Sequence, residues 1–321
     1  MKMIRTFLFA LLTFWTSISF AQENIDPTTD STGLAGDHFS LQGAMDLFKA
    51  SNTLEDFEKK LNTEDNAVNN LDLNNDDDID YIQVIDNKKD NAHAIILRVA
   101  VSATEDQDVA VIELGKDGAE SAMAQIVGDD ELYGDSTIVE PADDDMQLDA
   151  PVKGRGPCAP EFNYFTPRIV VNVWGWPCVK HVYGPAYVVF VSPYHWHSYP
   201  PLWKPWKHHP WYWHHQHCMH YHAYYHPCYV HRINGAHMMY APMRRTSIVV
   251  KNHYAPHRTA YYAHRTAVRK NGGIKHGNGG GGGMNGPKDG GMKKGGGGGM
   301  KKGGGNVKQG GGGMKGGGKH K

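Results

Sequence analysis

The chain has 321 residues and a formal net charge of only −1. That value conceals two opposed halves, because residues 22–150 carry 32 acidic and 7 basic side chains, whereas residues 151–321 carry 2 acidic and 24 basic ones. The composition excludes one evenly mixed surface: either the halves attract each other, or the basic half faces an anionic surface.

The N-terminal residues 1–21 are typical of an export signal. Lys2 and Arg5 precede a short apolar core at residues 7–15, and residues 19–21 supply a small-x-small cleavage pattern. The apolar run is shorter than the about 20 residues that a membrane-spanning helix needs. We therefore expect an exported protein, periplasmic, on the outer surface or secreted, with no transmembrane span in the mature chain.

Residues 22–37 are polar and interrupted by proline and glycine, which predicts a disordered lead-in. Two short helices follow. Ser40 is placed to cap the first, whose apolar positions have helical spacing, and Thr53 with Asp56 forms a start similar to a capping box for the second.

From Val68 onward the apolar period changes to two, which indicates strands. The predicted strands are Ile79 to Ile85, Ala92 to Ala103, Val109 to Leu114, Ala122 to Val127 and Thr137 to Val139, with turns at Asp86 to Asp90 and Lys116 to Gly118. Short connections favour an antiparallel meander. The sequence thus predicts an α+β domain at 38–140, with a small antiparallel sheet and two N-terminal helices.

A run of acidic and amide side chains inside this domain predicts a calcium loop. Oxygen-bearing side chains recur at alternate positions, which suits the six to eight hard oxygen ligands of Ca²⁺. The candidate ligands are Asp72, Asn74, Asp76, Asp78 and Asp80. The alternative is a solvated acidic turn without a metal.

At these residues the sequence resembles the calcium loops of dockerin and EF-hand motifs and of FG-GAP-type β repeats. It departs from the EF-hand pattern because Asp77 occupies the sixth position, where glycine is usual, and Gln83 the twelfth. The resemblance to a β-type loop implies a structural calcium ion in a turn that leads into a strand.

The segment from Thr53 to about Pro141, followed by a Trp/Pro/His-rich region, also resembles a set of uncharacterised exported bacterial proteins. This resemblance supports the domain boundary and implies no activity. After it, residues 141–157 are expected to form an exposed linker. Residues 168–173 and 186–191 are strand-like, and residues 176–183 predict a short helix or a turn.

The region 158–270 is basic and rich in aromatic residues, histidine and cysteine. Seven of the eight tryptophans lie between Trp174 and Trp213, and the interleaved prolines favour extended backbone. Closely spaced histidines with a cysteine suit Zn²⁺, Cu²⁺ and Ni²⁺. The candidate transition-metal ligands are His214, His215, His217, Cys218, His220 and His222. The alternative is an adhesive surface on which aromatic side chains stack on sugars or contact membranes.

All four cysteines, Cys158, Cys178, Cys218 and Cys228, lie in this region. An oxidising compartment favours disulfides. Four cysteines allow three pairings, of which the shorter loops, Cys158–Cys178 and Cys218–Cys228, cost the least closure entropy.

Residues 271–321 are dominated by glycine and lysine, which predicts a disordered cationic tail. Its lysines suit an anionic envelope surface or polysaccharide, and no motif for specific nucleic-acid recognition is present. The common hydrolase, phosphate-loop and haem motifs are also missing from the sequence. The sequence therefore predicts a non-enzymatic envelope or secreted protein acting through surface interaction, with transition-metal binding as the alternative.

Overall fold

The structure is a computed structural model that describes residues 31–135, 137–142 and 170–273, the last with side chains up to residue 267. These ranges all belong to one structural unit. The predicted export signal, residues 22–30 of the lead-in, the linker from residue 143 onward and the glycine-rich tail beyond residue 273 lie outside the described residues, as does Cys158.

An antiparallel sheet with six strands in chain order forms the centre of the fold. Its strands are β1 Ile82–Lys89, β2 Ala92–Ala100, β3 Asp106–Gly118, β4 Ser121–Gly128, β5 Thr137–Pro141 and β6 Tyr225–Cys228. Together with the helices this confirms the predicted α+β class and the meander of the first five strands. β6 was not predicted.

Two predicted turns are parts of strands instead. β1 continues to Lys89, so the chain reverses only at Asp90, whose φ of 53° suits a tight turn. β3 continues to Gly118 through an irregularity of the β3–β4 register near Lys116. Charged residues at the exposed ends of long strands therefore resemble loop residues in the sequence.

The two N-terminal helices, α1 Leu41–Lys49 and α2 Leu54–Leu61, begin where the sequence predicts. The Ser40 hydroxyl accepts a hydrogen bond from the amide of Gly43 at 3.0 Å. The Thr53 hydroxyl accepts one from the amide of Asp56 at 3.1 Å. Both contacts satisfy amides that lack a partner within the first turn.

The end of the expected lead-in is folded, contrary to the prediction of disorder up to residue 37. The Asp37 carboxylate accepts hydrogen bonds from the Ser31 hydroxyl at 2.8 Å and from the amides of Thr32 and Gly33 at 2.7 and 3.0 Å. Leu34 and Ala35 are buried. A local carboxylate-centred turn and two apolar side chains are sufficient to order this segment.

Six further helices complete the described part of the chain. They are α3 Asp130–Tyr133, α4 Pro177–Val182, α5 Trp211–Cys218, α6 Asn234–Tyr240, α7 Ile248–His253 and α8 Ala255–Gly273. α4 confirms the helical alternative for residues 176–183. No helix within the described ranges combines the length and apolar composition that membrane crossing requires.

The histidine-rich segment is helical, although extended backbone was expected there. α5 starts directly after Pro210, and a 3₁₀ helix at Met219–Ala223 continues it. The proline cluster ends at Pro210, and the next proline is Pro227, so no ring disrupts the helical hydrogen bonds between them. The predicted strand at residues 186–191 is also absent, apart from a single bridge between Val191 and Ile85.

Both sheet faces are covered, and the second half of the chain contributes to both. On one face, Val173, Cys178 and Val182 of the second half join the core formed with α1 and α2. On the other, Ile233, Ala236 and Tyr240 pack on Ala94, Ile96 and Val111 of the sheet. Residues 170–273 of the basic half are therefore part of the same folded unit as the acidic half.

The three described cysteines, Cys178, Cys218 and Cys228, are buried and free. The Cys218 thiol donates to the carbonyl of Ala67 at 3.3 Å, and the Cys228 thiol donates to the carbonyl of Val230 at 3.4 Å. The pairing expected between Cys218 and Cys228 is not formed, because α5 and β6 direct the two thiols to different partners.

Candidate metal centre

A row of buried polar side chains crosses the sheet from β3 to β6. Glu113 on β3 lies opposite Gln125 on β4, and Glu140 on β5 lies opposite His226 on β6. The amide of Gln125 links the two pairs by donating to the Glu140 carboxylate at 3.2 Å. Because buried polar groups are costly without partners, this row must be satisfied by residues that cover it.

The segment between β6 and α6 supplies those partners. The Arg232 guanidinium donates to both Glu140 oxygens, at 2.8 and 3.2 Å. Its backbone amide donates to the side-chain oxygen of Gln125 at 2.8 Å. His231 and His237 stand on either side of this arginine in the sequence, and both reach Glu113.

Glu113, His231 and His237 form the candidate centre. One carboxylate oxygen lies 3.4 Å from Nδ1 of His231, and the other lies 3.1 Å from Nδ1 of His237. The two imidazole centroids are 3.9 Å apart. One ligand atom from each residue lies within 4.8 Å of the other two. Since Zn–N and Zn–O bonds measure about 2.0–2.2 Å, such a triangle needs little rearrangement to surround an ion.

The three residues differ in how firmly the fold holds them. Glu113 is fully buried within a central strand, whereas the His231 and His237 side chains are 25% and 40% exposed. A cavity of about 250 Å³ opens beside them and is also lined by Asp129 and Arg244. The carboxylate is thus fixed, and the open side has room for water or another small ligand.

Burial sets the electrostatics of the centre. It raises the pKa of Glu113 to about 7, although His237 acts in the opposite direction. Burial also raises the pKa of Asp129 to about 7 against the lowering effect of Arg244. A partly buried His231 has a lowered pKa, again through desolvation. Neutral imidazoles are the form that ligates metals, and a cation would offset the cost of the buried carboxylate.

The six ligands predicted in the histidine-rich segment point in different directions. His214 and Cys218 face inward, with Nδ1 of His214 3.1 Å from the carbonyl of Asp37. His217 stacks on Trp213 and His215 on Trp211, on the outer side of α5. Within the described part of the chain, the six predicted ligands, including His220 and His222, form no group of three ligand atoms that lie within 4.8 Å of one another. The group that meets this criterion there is the Glu113 centre.

The predicted calcium ligands form one loop, with Asn75 and Asp77 in the left-handed region at φ 60° and 65°. The Asp72 carboxylate accepts hydrogen bonds from the amides of Asp76 and Asp77 at 3.1 and 3.0 Å.

Three further predicted ligands also have partners within the protein. The Asn74 side-chain oxygen accepts from the amide of Asp76 at 3.0 Å, and Asp78 pairs with Lys207 at 2.7 Å. Asp80 is buried and accepts from the amide of Leu73 at 2.5 Å. Calcium binding at this loop stays a prediction, and it would require some carboxylates to turn from these donors to the ion.

The sequence contains a pattern that points to the Glu113 centre. The prediction was placed at the histidine-rich segment instead, because histidines are more closely spaced there. Glu113 is the one charged residue in the apolar stretch 109–114, and Gln125 is the one strongly polar residue in 122–127. Carboxylates are rarely fully buried unless they are paired. What the sequence could not supply is the partner, because His231 follows Glu113 by 118 residues.

Comparison of the chain with protein families, with curated proteins and with solved structures found no match. The resemblances noted from the sequence stay predictions, and the candidate centre is interpreted from its own geometry.

Proposed function

We propose that this protein binds a divalent transition-metal ion through Glu113, His231 and His237. The observation that carries the proposal is the convergence of two imidazoles and one carboxylate on a triangle no wider than 4.8 Å. This donor set suits Zn²⁺, and the Irving–Williams order makes Cu²⁺ and Ni²⁺ effective competitors. The adjoining cavity leaves a coordination position for water or a small ligand.

The arrangement around Glu113 supports this site over the histidine-rich segment around α5. A rigid strand positions one ligand, and α6 with its preceding loop positions the other two, so little ordering entropy is lost on binding. The half-buried His215 and the exposed His217 of α5 stack on neighbouring tryptophans. We expect them to bind metals weakly and without fixed stoichiometry.

We also propose that the chain works as an exported, non-enzymatic protein, on the basis of its first 21 residues and its lack of hydrolase motifs. The described residues give less support to the predicted binding of an anionic envelope surface by the basic half than to the metal centre. Seven lysine or arginine side chains between residues 207 and 265 pair with carboxylates of the acidic half. Most of the positive charge in the described part of the second half, residues 170–267, is therefore paired within the molecule.

The test is a competitive titration of the mature chain, residues 22–321, with Zn²⁺ against a chromophoric chelator. We expect one site with a dissociation constant below about 1 μM. Glu113→Gln and His237→Gln should each weaken that site by at least about 100-fold, because each removes one of three protein ligands. Circular dichroism establishes that the variants are folded.

The matched control replaces His215, His217 and His220 together with glutamine, which removes three histidines and leaves the centre intact. This variant should keep the tight site and lose only weak, superstoichiometric binding. The proposal is wrong if the triple variant loses the tight site while Glu113→Gln retains it, or if the unaltered chain has no tight site.

A further inference from the structure

A second cavity, of about 750 Å³, lies between α2 and the proline-rich segment 194–206. It shares no lining residue with the cavity beside Glu113. Its volume falls within the range of about 300–1,000 Å³ that is usual for small-molecule sites. The question is which chemical class of ligand its walls would recognise.

One wall consists of interlocked aromatic rings around Tyr81. The ring centroids of Tyr194 and Trp203 lie 5.5 and 5.0 Å from that of Tyr81, both edge to face. The Tyr81 hydroxyl donates to the buried Glu58 carboxylate at 2.9 Å, and the Ser192 hydroxyl donates to the same oxygen at 3.0 Å. These contacts hold the aromatic wall in place before any ligand binds, which lowers the entropic cost of binding.

The charged side chains that line the cavity are four carboxylates and two ammonium groups. The Glu58 carboxylate already accepts hydrogen bonds from the hydroxyls of Tyr81 and Ser192. The Asp56 carboxylate pairs with the Lys60 ammonium group at 2.9 Å. The remaining charged groups are two carboxylates and two ammonium groups, on Glu55, Glu64, Lys59 and Lys204. Such a lining does not select a strongly anionic ligand, but its carboxylates accept hydrogen bonds from hydroxyl groups.

We propose that this cavity binds a neutral saccharide. The apolar face of a sugar ring packs on the Tyr194 and Trp203 side of the cavity, and sugar hydroxyls donate to Glu55. Aromatic grooves also bind proline-rich peptides. Because proline has no N–H to donate, such a peptide would leave the carboxylate acceptors of the α2 side unused.

The experiment titrates the mature chain with cellohexaose, chitohexaose, maltohexaose and mannohexaose, followed by tryptophan fluorescence and calorimetry. A trigalacturonate and a deca-proline peptide serve as the anionic and peptide alternatives. We expect saturable binding of at least one neutral hexasaccharide with a dissociation constant below about 1 mM. Trp203→Phe replaces the indole with a smaller ring and so reduces the aromatic wall, which should weaken binding by about threefold to tenfold.

Two further variants distinguish binding in the cavity from indirect effects of a substitution on the rest of the protein. Glu55→Gln, at an exposed position of α2, should also weaken binding, whereas Trp211→Phe removes an indole outside the cavity and should leave it unchanged. The proposal is overturned if no neutral hexasaccharide binds, if only trigalacturonate or deca-proline binds, or if Trp203→Phe and Glu55→Gln both bind as the unaltered chain does. Glu113→Gln should bind the saccharide normally, which distinguishes this site from the metal centre.

Discussion

At the scale of single residues, the fold lowers the pKa of three histidines and so disfavours their protonated form. Burial, together with the nearby His208 and His214, lowers the pKa of His38 to about 3. Burial lowers the pKa of His214 to about 4, although contacts with the carbonyls of Val68 and Asp37 oppose this. The pKa of His208 is also lowered by burial. Protonating any of these side chains in the folded state is costly.

We therefore expect acid to destabilise the protein. A histidine whose folded-state pKa is depressed contributes stability that is present above its ordinary pKa of 6.5 and is lost as the pH falls towards the folded value. Each such group contributes up to about 1.4 kcal/mol per pH unit. His38→Gln should thus reduce the loss of unfolding free energy between pH 7 and pH 5 by about 1–2 kcal/mol, measured by urea unfolding at both pH values.

His217→Gln provides the control, because His217 is exposed on α5 and stacks on Trp213. It should leave the difference between the two pH values unchanged. An equal pH dependence of His38→Gln and the unaltered chain would show that His38 does not drive the acid response, whatever the absolute stability of the variant.

At the scale of elements, sequence patterns predicted the helices and strands that depend on contacts between residues close in the sequence. The caps of α1 and α2 and the period-two strands β1 to β5 depend on residues close in sequence. β6 is different, because its four residues pair with β5 across more than eighty positions. A strand of that length, containing a proline, has too little periodicity to be recognised, and its position depends on packing that follows collapse.

The calcium loop is the element whose predicted role is easiest to test. Burial, together with the charges of Asp72 and Asp76, raises the pKa of Asp80 to about 8. A calcium ion would relieve this repulsion, so Ca²⁺ at about 100 times its dissociation constant should stabilise the fold by about 2.7 kcal/mol. Thermal unfolding in Ca²⁺ and in excess chelator should differ by several degrees.

Asp80→Asn and Asp76→Asn should abolish that difference. Without calcium, Asp80→Asn should cost little, since the raised pKa already favours the uncharged carboxyl at neutral pH. Asp117→Asn, at the exposed end of β3, should respond to Ca²⁺ as the unaltered chain does. Identical unfolding temperatures with calcium and with chelator would establish that the loop is an acidic turn without a metal.

At the scale of the whole molecule, the opposite charges of the two halves are complementary. Arginines of the second half pair with carboxylates near α3 and β3 of the first. The sequence indicated this attraction as one of two alternatives, and it could not choose between them because ion pairs depend on the tertiary fold. The same limit applied to the metal centre, whose ligands come from β3 and from the residues around α6.

Burial, more than surface charge, should hold the two halves together. Residues of α4 lie in the core beside α1, and β6 hydrogen-bonds to β5. We expect that cutting the chain at a protease site introduced between residues 143 and 169 leaves both pieces associated during gel filtration. The association should persist in 1 M NaCl, where the Debye length falls to about 3 Å and exposed ion pairs are screened.

Glu140→Gln should weaken this association, because it removes the carboxylate shared by Arg232 and His226. Arg232 is 28% exposed, so we expect a loss of about 2–3 kcal/mol, less than for a fully buried pair. The cut variant should then separate at a lower urea concentration than the cut parent chain, while Glu55→Gln should separate with the parent. If the cut pieces elute apart in 0.15 M NaCl, the halves are independent domains. If they separate only in 1 M NaCl, surface ion pairs rather than the buried contacts of α4 and β6 determine how the molecule is assembled.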